Sequence, residues 1–175
     1  MSGNEQKYIQ EAFDTNWVVP LGPNVDGFEA DLQSFIAEDR QVVALSSGTA
    51  AVHLALIACG VEPGDEVCVQ SFTFCASSNP IKYIGANPIF IDSEEDTWNM
   101  DPDLLEKAIL DRIAKTGKKP KAIIPVALYG MPYDCERIMA IAEKYDIPVI
   151  EDAAEGFGSK YNGQILGTFG HYGVL

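Results

Sequence analysis

Five short apolar runs constrain this chain more than any other feature. They are residues 41–45, 66–70, 88–91, 122–128 and 148–150. None alternates polar with apolar residues, so neither face of the strand each would form is marked for solvent. Such runs separated by helical segments are the pattern of a parallel sheet buried on both faces, with helices as the crossovers.

The segments between the runs carry helix signals. Residues 49–59 form a nearly all-apolar helix, closed by Gly60 as a C-terminal cap. Residues 77–84 form a short helix with Pro80 in its first turn and Gly85 at its end. Asp101 caps a long amphipathic helix that turns Leu105, Ala108, Ile109 and Ile113 inward and stops at Gly117. Asp134 caps the helix 135–145, and 160–165 is a hairpin around Asn162-Gly163. Upstream, helices are expected over 4–15 and 25–38, with apolar stripes at Tyr8, Ile9, Ala12 and Phe13 and at Val25, Phe28, Leu32, Phe35 and Ile36. Between them, two prolines and a glycine keep residues 16–23 out of a helix. This loop carries Trp17, so it either packs on the body or covers something. The organisation expected is residues 1–40 as an N-terminal helical segment with its loop, then 41–175 as an α/β domain.

A net charge of −14 argues against nucleic acid and anionic membrane as partners. No apolar run approaches the ~20 residues of a membrane span. The polar, acidic N-terminus has no secretory h-region, so a cytoplasmic protein is expected. Cys59, Cys68, Cys75 and Cys135 show no metal-ligand spacing, and no metal site is expected. His53 reads as a core histidine. The acidic run 92–96 reads as a solvated loop.

Three stretches could carry chemistry. Ser46-Ser47-Gly48-Thr49-Ala50-Ala51 joins a strand to a helix through small residues. Exposed amides and the positive dipole end at a helix start suit a phosphate, although small residues also make ordinary strand-to-helix turns. In Gln70-Ser71-Phe72-Thr73-Phe74-Cys75 an aromatic ring could stack on a flat cofactor or fill the core. At the end of the fifth run, Glu151-Asp152-Ala153-Ala154-Glu155 brings carboxylates to the sheet edge where ligands of such folds bind. Asp152 could pair there with a protonated heterocyclic nitrogen or serve as a turn residue.

Together these motifs resemble the DegT/DnrJ-type sugar-nucleotide aminotransferases, fold-type-I enzymes that use pyridoxal 5'-phosphate. The resemblance also takes in Gly64-Asp65-Glu66-Val67, Gly85-Ala86-Asn87-Pro88, Gly167-Thr168-Phe169-Gly170 and the segment from Asn16-Trp17 to Gly22, in order along the whole chain. It implies the large domain of that fold, a mostly parallel sheet with helices on both faces, incomplete because its C-terminal part is absent. It implies that Gly48, Thr49 and Ala50 hold the cofactor phosphate and that Phe74 stacks on its ring. Asp152 would pair with the ring nitrogen. Glu155 would lie near the ring hydroxyl or the transferred amino group.

The family's Schiff-base lysine belongs to a segment beyond Leu175, and none of the nine lysines here has its context. No catalytic residue is therefore assigned, and an inactive chain is expected. The resemblance also implies that 41–45 has lost its sheet neighbour, an antiparallel strand from later in the chain. The implied activity is transfer of an amino group from glutamate to a keto-sugar nucleotide for polysaccharide biosynthesis, by a homodimer. Asp96 to Met100 is similar to members linked to exopolysaccharide and 4-amino-sugar synthesis. The alternatives are a sugar dehydratase of the same family, which also uses pyridoxal 5'-phosphate, and a catalytically inert, self-associating fragment.

Overall fold

The computed structural model of the chain describes residues 2–36 and 39–175. By its contacts the chain divides into two compact units, Met1–Ala44 and Leu45–Leu175.

The first unit holds α1 (Glu5–Asp14) and α2 (Pro23–Ile36). The end expected for the second helix, Glu38, lies outside the described residues. Neither helix buries a residue fully, and Tyr8, Ile9, Phe13, Phe28 and Phe35 are exposed. The expected stripes exist in sequence, but a unit of this size has too little chain to cover them. In the intervening loop the indole N–H of Trp17 donates to the Leu21 carbonyl, and the ring lies on Gly22. Gly22 has φ 127°, and a side chain there would collide with the indole.

The second unit begins with α3 (Gly48–Ala58) and alternates from there. β1 (Glu66–Gln70), α4 (Asn79–Tyr83), β2 (Asn87–Ile91), α5 (Pro102–Thr116), β3 (Ala122–Ile124), α6 (Cys135–Tyr145) and β4 (Ile150–Asp152) follow. The hairpin β5 (Lys160–Tyr161) and β6 (Gln164–Ile165) and a last strand, β7 (Tyr172–Val174), complete the unit. β2, β1 and β3 pair in parallel in that order. Parallel bridges Ile123–Val149 and Val126–Asp152 carry the sheet on to β4, which pairs in parallel with β7. This is the expected α/β architecture.

Capping residues act as their types require. The Asp101 carboxylate accepts from the amides of Asp103 and Leu104, and that of Asp134 from Arg137. Gly117 ends α5 in the left-handed region at φ 72°. Asn162 and Gly163 both have positive φ, as a two-residue hairpin turn demands.

Four expectations need correction. Residues 41–45 form no strand: they carry no regular secondary structure, and no strand pairs with them among the described residues. A β-ladder needs a partner for its amides and carbonyls, and none of the described strands supplies one here. The run 122–128 stops being a strand at Ile124, because Pro125 has no N–H to give to a ladder. A 3-10 turn at Leu128–Gly130 follows. The fifth strand runs to Asp152, so Glu151 and Asp152 lie within it rather than past its end. His53 is half-buried, edge-on to Tyr83 at 5.8 Å, rather than in the core.

The sheet separates two apolar clusters. On one face Val67, Val69, Ile124, Ile150 and Val174 pack with Val52, Ala55 and Leu56 of α3 and Ile81 of α4. On the other, Cys68, Ile123 and Val149 pack with Leu105 and Ile109 of α5 and Ile138 and Ile141 of α6. Successive strand residues point to opposite faces, so this register sends Glu151 and Asp152 to opposite sides.

Candidate functional site

All six residues singled out for cofactor binding lie in the second unit, and the carboxyl ends of β1, β3 and β4 organise their surroundings. Asp152 is the centre. The residue is 7% exposed. Oδ2 accepts from the Ser77 hydroxyl at 2.6 Å and Oδ1 from the Ala154 amide at 3.3 Å. Burial raises its proton affinity, against the pull of the Ser77 hydrogen bond, and the nearby Glu155 charge raises it further. Among the described residues no cation pairs with it.

Ser77 ties the loop after β1 to Asp152. Its Oγ is also 2.8 Å from Thr73 Oγ1, and its amide donates to the Phe74 carbonyl. Phe74 thus sits on a turn anchored to Asp152, with its ring 76% exposed. A ring left in water on such a turn is not serving the core.

The start of α3 lies on the same side. Ser47 is its N-cap, with Oγ accepting from the Ala50 amide at 3.2 Å. The first intrahelical bond runs from the Ala51 amide to the Ser47 carbonyl, so the Gly48 and Thr49 amides precede it. A side chain built on Gly48 would meet Val174 of β7, which pairs with Asp152, at 3.9 Å. The helix start, the Phe74 turn and Asp152 therefore form one connected set. The Ala50 amide is already engaged by the cap.

Glu155 lies in the exposed loop beyond β4, near enough for its charge to act on Asp152. Its Oε2 accepts from the Tyr129 amide at 2.6 Å.

Sequence reasoning missed three supports. Gln70, fully buried at the end of β1, accepts at Oε1 from the amides of Met100 (2.8 Å) and Val126 (3.3 Å). Asn99, also buried, accepts from the Leu128 amide at 3.0 Å and donates to the Met131 carbonyl at 3.0 Å. These two amides hold together the loops that follow β1, β2 and β3. Glu94 adds to this: its carboxylate accepts from the amides of Asp96, Thr97 and Asn99, so the run 92–96 is a built loop rather than a merely solvated one. The third support is Glu151, fully buried, whose Oε2 accepts from the Phe169 (3.0 Å) and Gly170 (3.3 Å) amides. Its Oε1 and the neighbouring Tyr133 hydroxyl are buried without a well-aligned hydrogen bond. Burial raises the proton affinity of Glu151 and of the Tyr133 phenolate, and pushes the Cys135 thiol beside them up to about 12. Only the polar type of Gln70 at the end of an apolar run, and of Asn99 between Trp98 and Met100, could have flagged them in sequence.

Gln70→Leu tests the amide clamp. It strands two buried amides and is expected to cost about 2 kcal/mol, a fall of roughly 4–8 °C in melting temperature. Thermal unfolding followed by circular dichroism measures it. An unchanged midpoint would show that the loops hold without the clamp.

The model of the DegT/DnrJ/EryC1/StrS aminotransferase family matches residues 1–175. The chain is 51% identical over 175 residues to EpsN of Bacillus subtilis (strain 168), provisionally named a pyridoxal phosphate-dependent aminotransferase; the match covers all of this chain and 45% of that protein. It is 43% identical over 173 residues to the GDP-perosamine synthase of Escherichia coli O157:H7, covering 97% of this chain and 44% of the synthase. A crystal structure of a DegT DnrJ EryC1 StrS aminotransferase from Brucella abortus superposes with a TM-score of 0.90 at 38% identity, over 95% of this chain and 44% of that one. A GDP-4-keto-6-deoxymannose-3-dehydratase holding a trapped PLP-glutamate geminal diamine superposes with a TM-score of 0.85 at 28% identity, over 97% and 43%. The chain thus spans less than half the length of these relatives. With the family model matched from end to end and the fold shared, this chain belongs to the DegT/DnrJ/EryC1/StrS aminotransferase family, whose aminotransferases depend on pyridoxal 5'-phosphate.

Proposed function

We propose that this chain forms the cofactor-binding part of an aminotransferase that moves an amino group from glutamate to a keto-sugar nucleotide. The observation that carries the reading is the buried Asp152 carboxylate, which has no cationic partner among the described residues. A buried carboxylate is costly unless it meets a positive group. The protonated ring nitrogen of pyridoxal 5'-phosphate is such a group, so the donor set fits the cofactor.

The other roles follow the same chemistry. The Gly48 and Thr49 amides and the Thr49 hydroxyl receive the phosphate at the positive end of α3. The Ala50 amide joins them by sharing with, or exchanging from, the Ser47 hydroxyl. Phe74 covers a ring face, and Ser77 and the Ala154 amide keep Asp152 aimed. Glu155 lies toward the ring hydroxyl or the transferred amino group. Bound there, the cofactor supplies an electron sink for amino-group exchange. None of this chain's lysines is proposed as its Schiff-base residue. Lys82, Lys115, Lys119 and Lys144 are engaged with Ala86, Asp111, Asp146 and Glu106. The 175 residues alone are proposed to bind cofactor without turnover. The working enzyme is proposed to be a cytoplasmic homodimer that uses residues 1–40 as a helical segment and 41–175 as the cofactor domain. The dehydratase with the same fold supports a second reading, loss of a sugar hydroxyl instead of amination, and product analysis separates the two.

Equilibrium dialysis against pyridoxal 5'-phosphate tests the site. Binding is expected to be saturable, and Thr49→Ala to weaken it roughly five- to tenfold through one lost charge-assisted hydrogen bond. Binding that is indifferent to both Thr49→Ala and Asp152→Asn would overturn this assignment.

A further inference from the structure

Tyr129 stands in a conformation that its residue type resists. Its backbone is left-handed, φ 52° and ψ 28°, inside the 3-10 turn after β3. Glycine and asparagine adopt this region readily; a bulky aromatic residue is an outlier there. The ring gains nothing from the core, since Tyr129 is 81% exposed. Strain of this kind persists only where the surroundings over-determine the backbone, and it gathers at functional sites.

The surroundings here are specific. The Tyr129 amide donates to Glu155 Oε2 at 2.6 Å. The next residue, Gly130, has φ 81°, and a side chain on it would press within 2.9 Å of the Glu155 carbonyl. Glu155 thus grips the turn twice, with its carboxylate on Tyr129 and its backbone against Gly130. On the other side, the Ala127 amide donates to the Asp152 carbonyl at 2.9 Å and the Leu128 amide to Asn99 Oδ1 at 3.0 Å. The turn that carries the strained residue is therefore tied to the Glu155 carboxylate and, through Ala127, to the backbone carbonyl of Asp152.

We propose that Glu155 is a positioning residue for Tyr129. It clamps the turn left-handed so that the phenol is presented at the carboxyl edge of the sheet, as a contact for the sugar ring of the amino acceptor. A phenol suits that ligand: its face lies against the C–H face of a pyranose, and its hydroxyl both donates to and accepts from sugar hydroxyls. The sugar contact rests on the functional reading given above, whereas the clamp does not.

The two parts are tested separately. In the cofactor-free chain, amide hydrogen exchange at Tyr129 is expected to quicken at least tenfold in Glu155→Ala. Glu155→Gln, whose amide oxygen can still accept, should restore most of the protection. In a Tyr129→Gly background, where the strain is gone, Glu155→Ala should barely move the melting temperature. Equal exchange in all forms would overturn the clamp. For the contact, the cofactor-loaded chain is titrated with GDP-mannose and UDP-glucose as probes. Tyr129→Gly and Glu155→Ala are expected to weaken binding of the responding probe about fivefold, and Tyr129→Phe about twofold. Undiminished binding by Tyr129→Gly overturns the contact, as does the absence of binding of either probe to the unsubstituted loaded chain. A chain that takes up no cofactor refutes the functional reading instead and leaves the exchange result to decide the clamp.

Discussion

Asp152→Asn is expected to make the cofactor-free chain more stable and the cofactor-bound chain far less so. Burial holds the Asp152 carboxyl above the ordinary carboxylate range, so the folded state binds its proton more tightly than the unfolded chain does. The stability this group allows is complete below its unfolded pKa and is lost as pH rises through its folded pKa. At neutral pH the folded chain carries the cost of a buried charge without a cation. Asparagine removes the charge and keeps the hydrogen bonds: its oxygen accepts from Ala154, its amide donates to Ser77 Oγ, and the Ser77 hydroxyl turns to Thr73. The gain is expected to be about 1 kcal/mol near pH 7, a rise of roughly 2–4 °C, vanishing toward acid. Affinity for pyridoxal 5'-phosphate should fall about 100-fold, the scale of a buried charge-assisted bond. Melting curves from pH 3 to 8 and equilibrium dialysis measure the two effects. A destabilised variant that binds cofactor normally would refute both the electrostatic reading of Asp152 and its role.

Gly173→Ala is expected to be the most damaging single methyl group in the chain. Gly173 lies in the middle of β7, opposite Glu151 of β4. A Cβ there would stand 2.0 Å from the Gly167 carbonyl oxygen, and backbone cannot swing away as a side chain can. Gly167 begins the turn whose Phe169 and Gly170 amides bind the buried Glu151, so moving it also strips that carboxylate of its donors. Overpacking of this kind, with a buried group left unsatisfied, is expected to cost about 4 kcal/mol, roughly 8–16 °C in melting temperature. The damage should be local at first: limited proteolysis would open residues 167–175 before the rest of the unit. A melting temperature within about 2 °C of the unsubstituted chain would show that β7 can separate from the turn at little cost.

Much of the fold was legible because its signals are local. Asp101 and Asp134 cap helices in any sequence that places them before an amphipathic run, since the bonds they make lie within three residues. Gly117, Asn162 and Gly163 were legible because left-handed backbone selects for residue type. β1 was legible because Glu66–Gln70 is buried on both faces and bounded by turns. The failures had a common cause. Residues 41–45 look like a strand, but a strand is a relation between two segments, and nothing in those five residues says whether a partner is present. The stripes of α1 and α2 are real amphipathic patterns, but a pattern does not state what covers it.

The candidate site divides in the same way. Sequence alone determined the chemical types: small residues with hydroxyls before an apolar helix, an aromatic after the second run, carboxylates at the fifth, and a motif order that resembles one family throughout. Only the tertiary structure decided what those types do to one another. It placed Ser77 on Asp152 across 75 positions and Gln70 beside Asn99 across 29. It sent Glu151 and Asp152 to opposite faces of the sheet, and it set Tyr129 in a strained turn on Glu155. Pair distances of that kind follow from strand order and register, which the packing of the whole chain fixes, whereas caps, turns and periodicities are settled within a few residues of themselves.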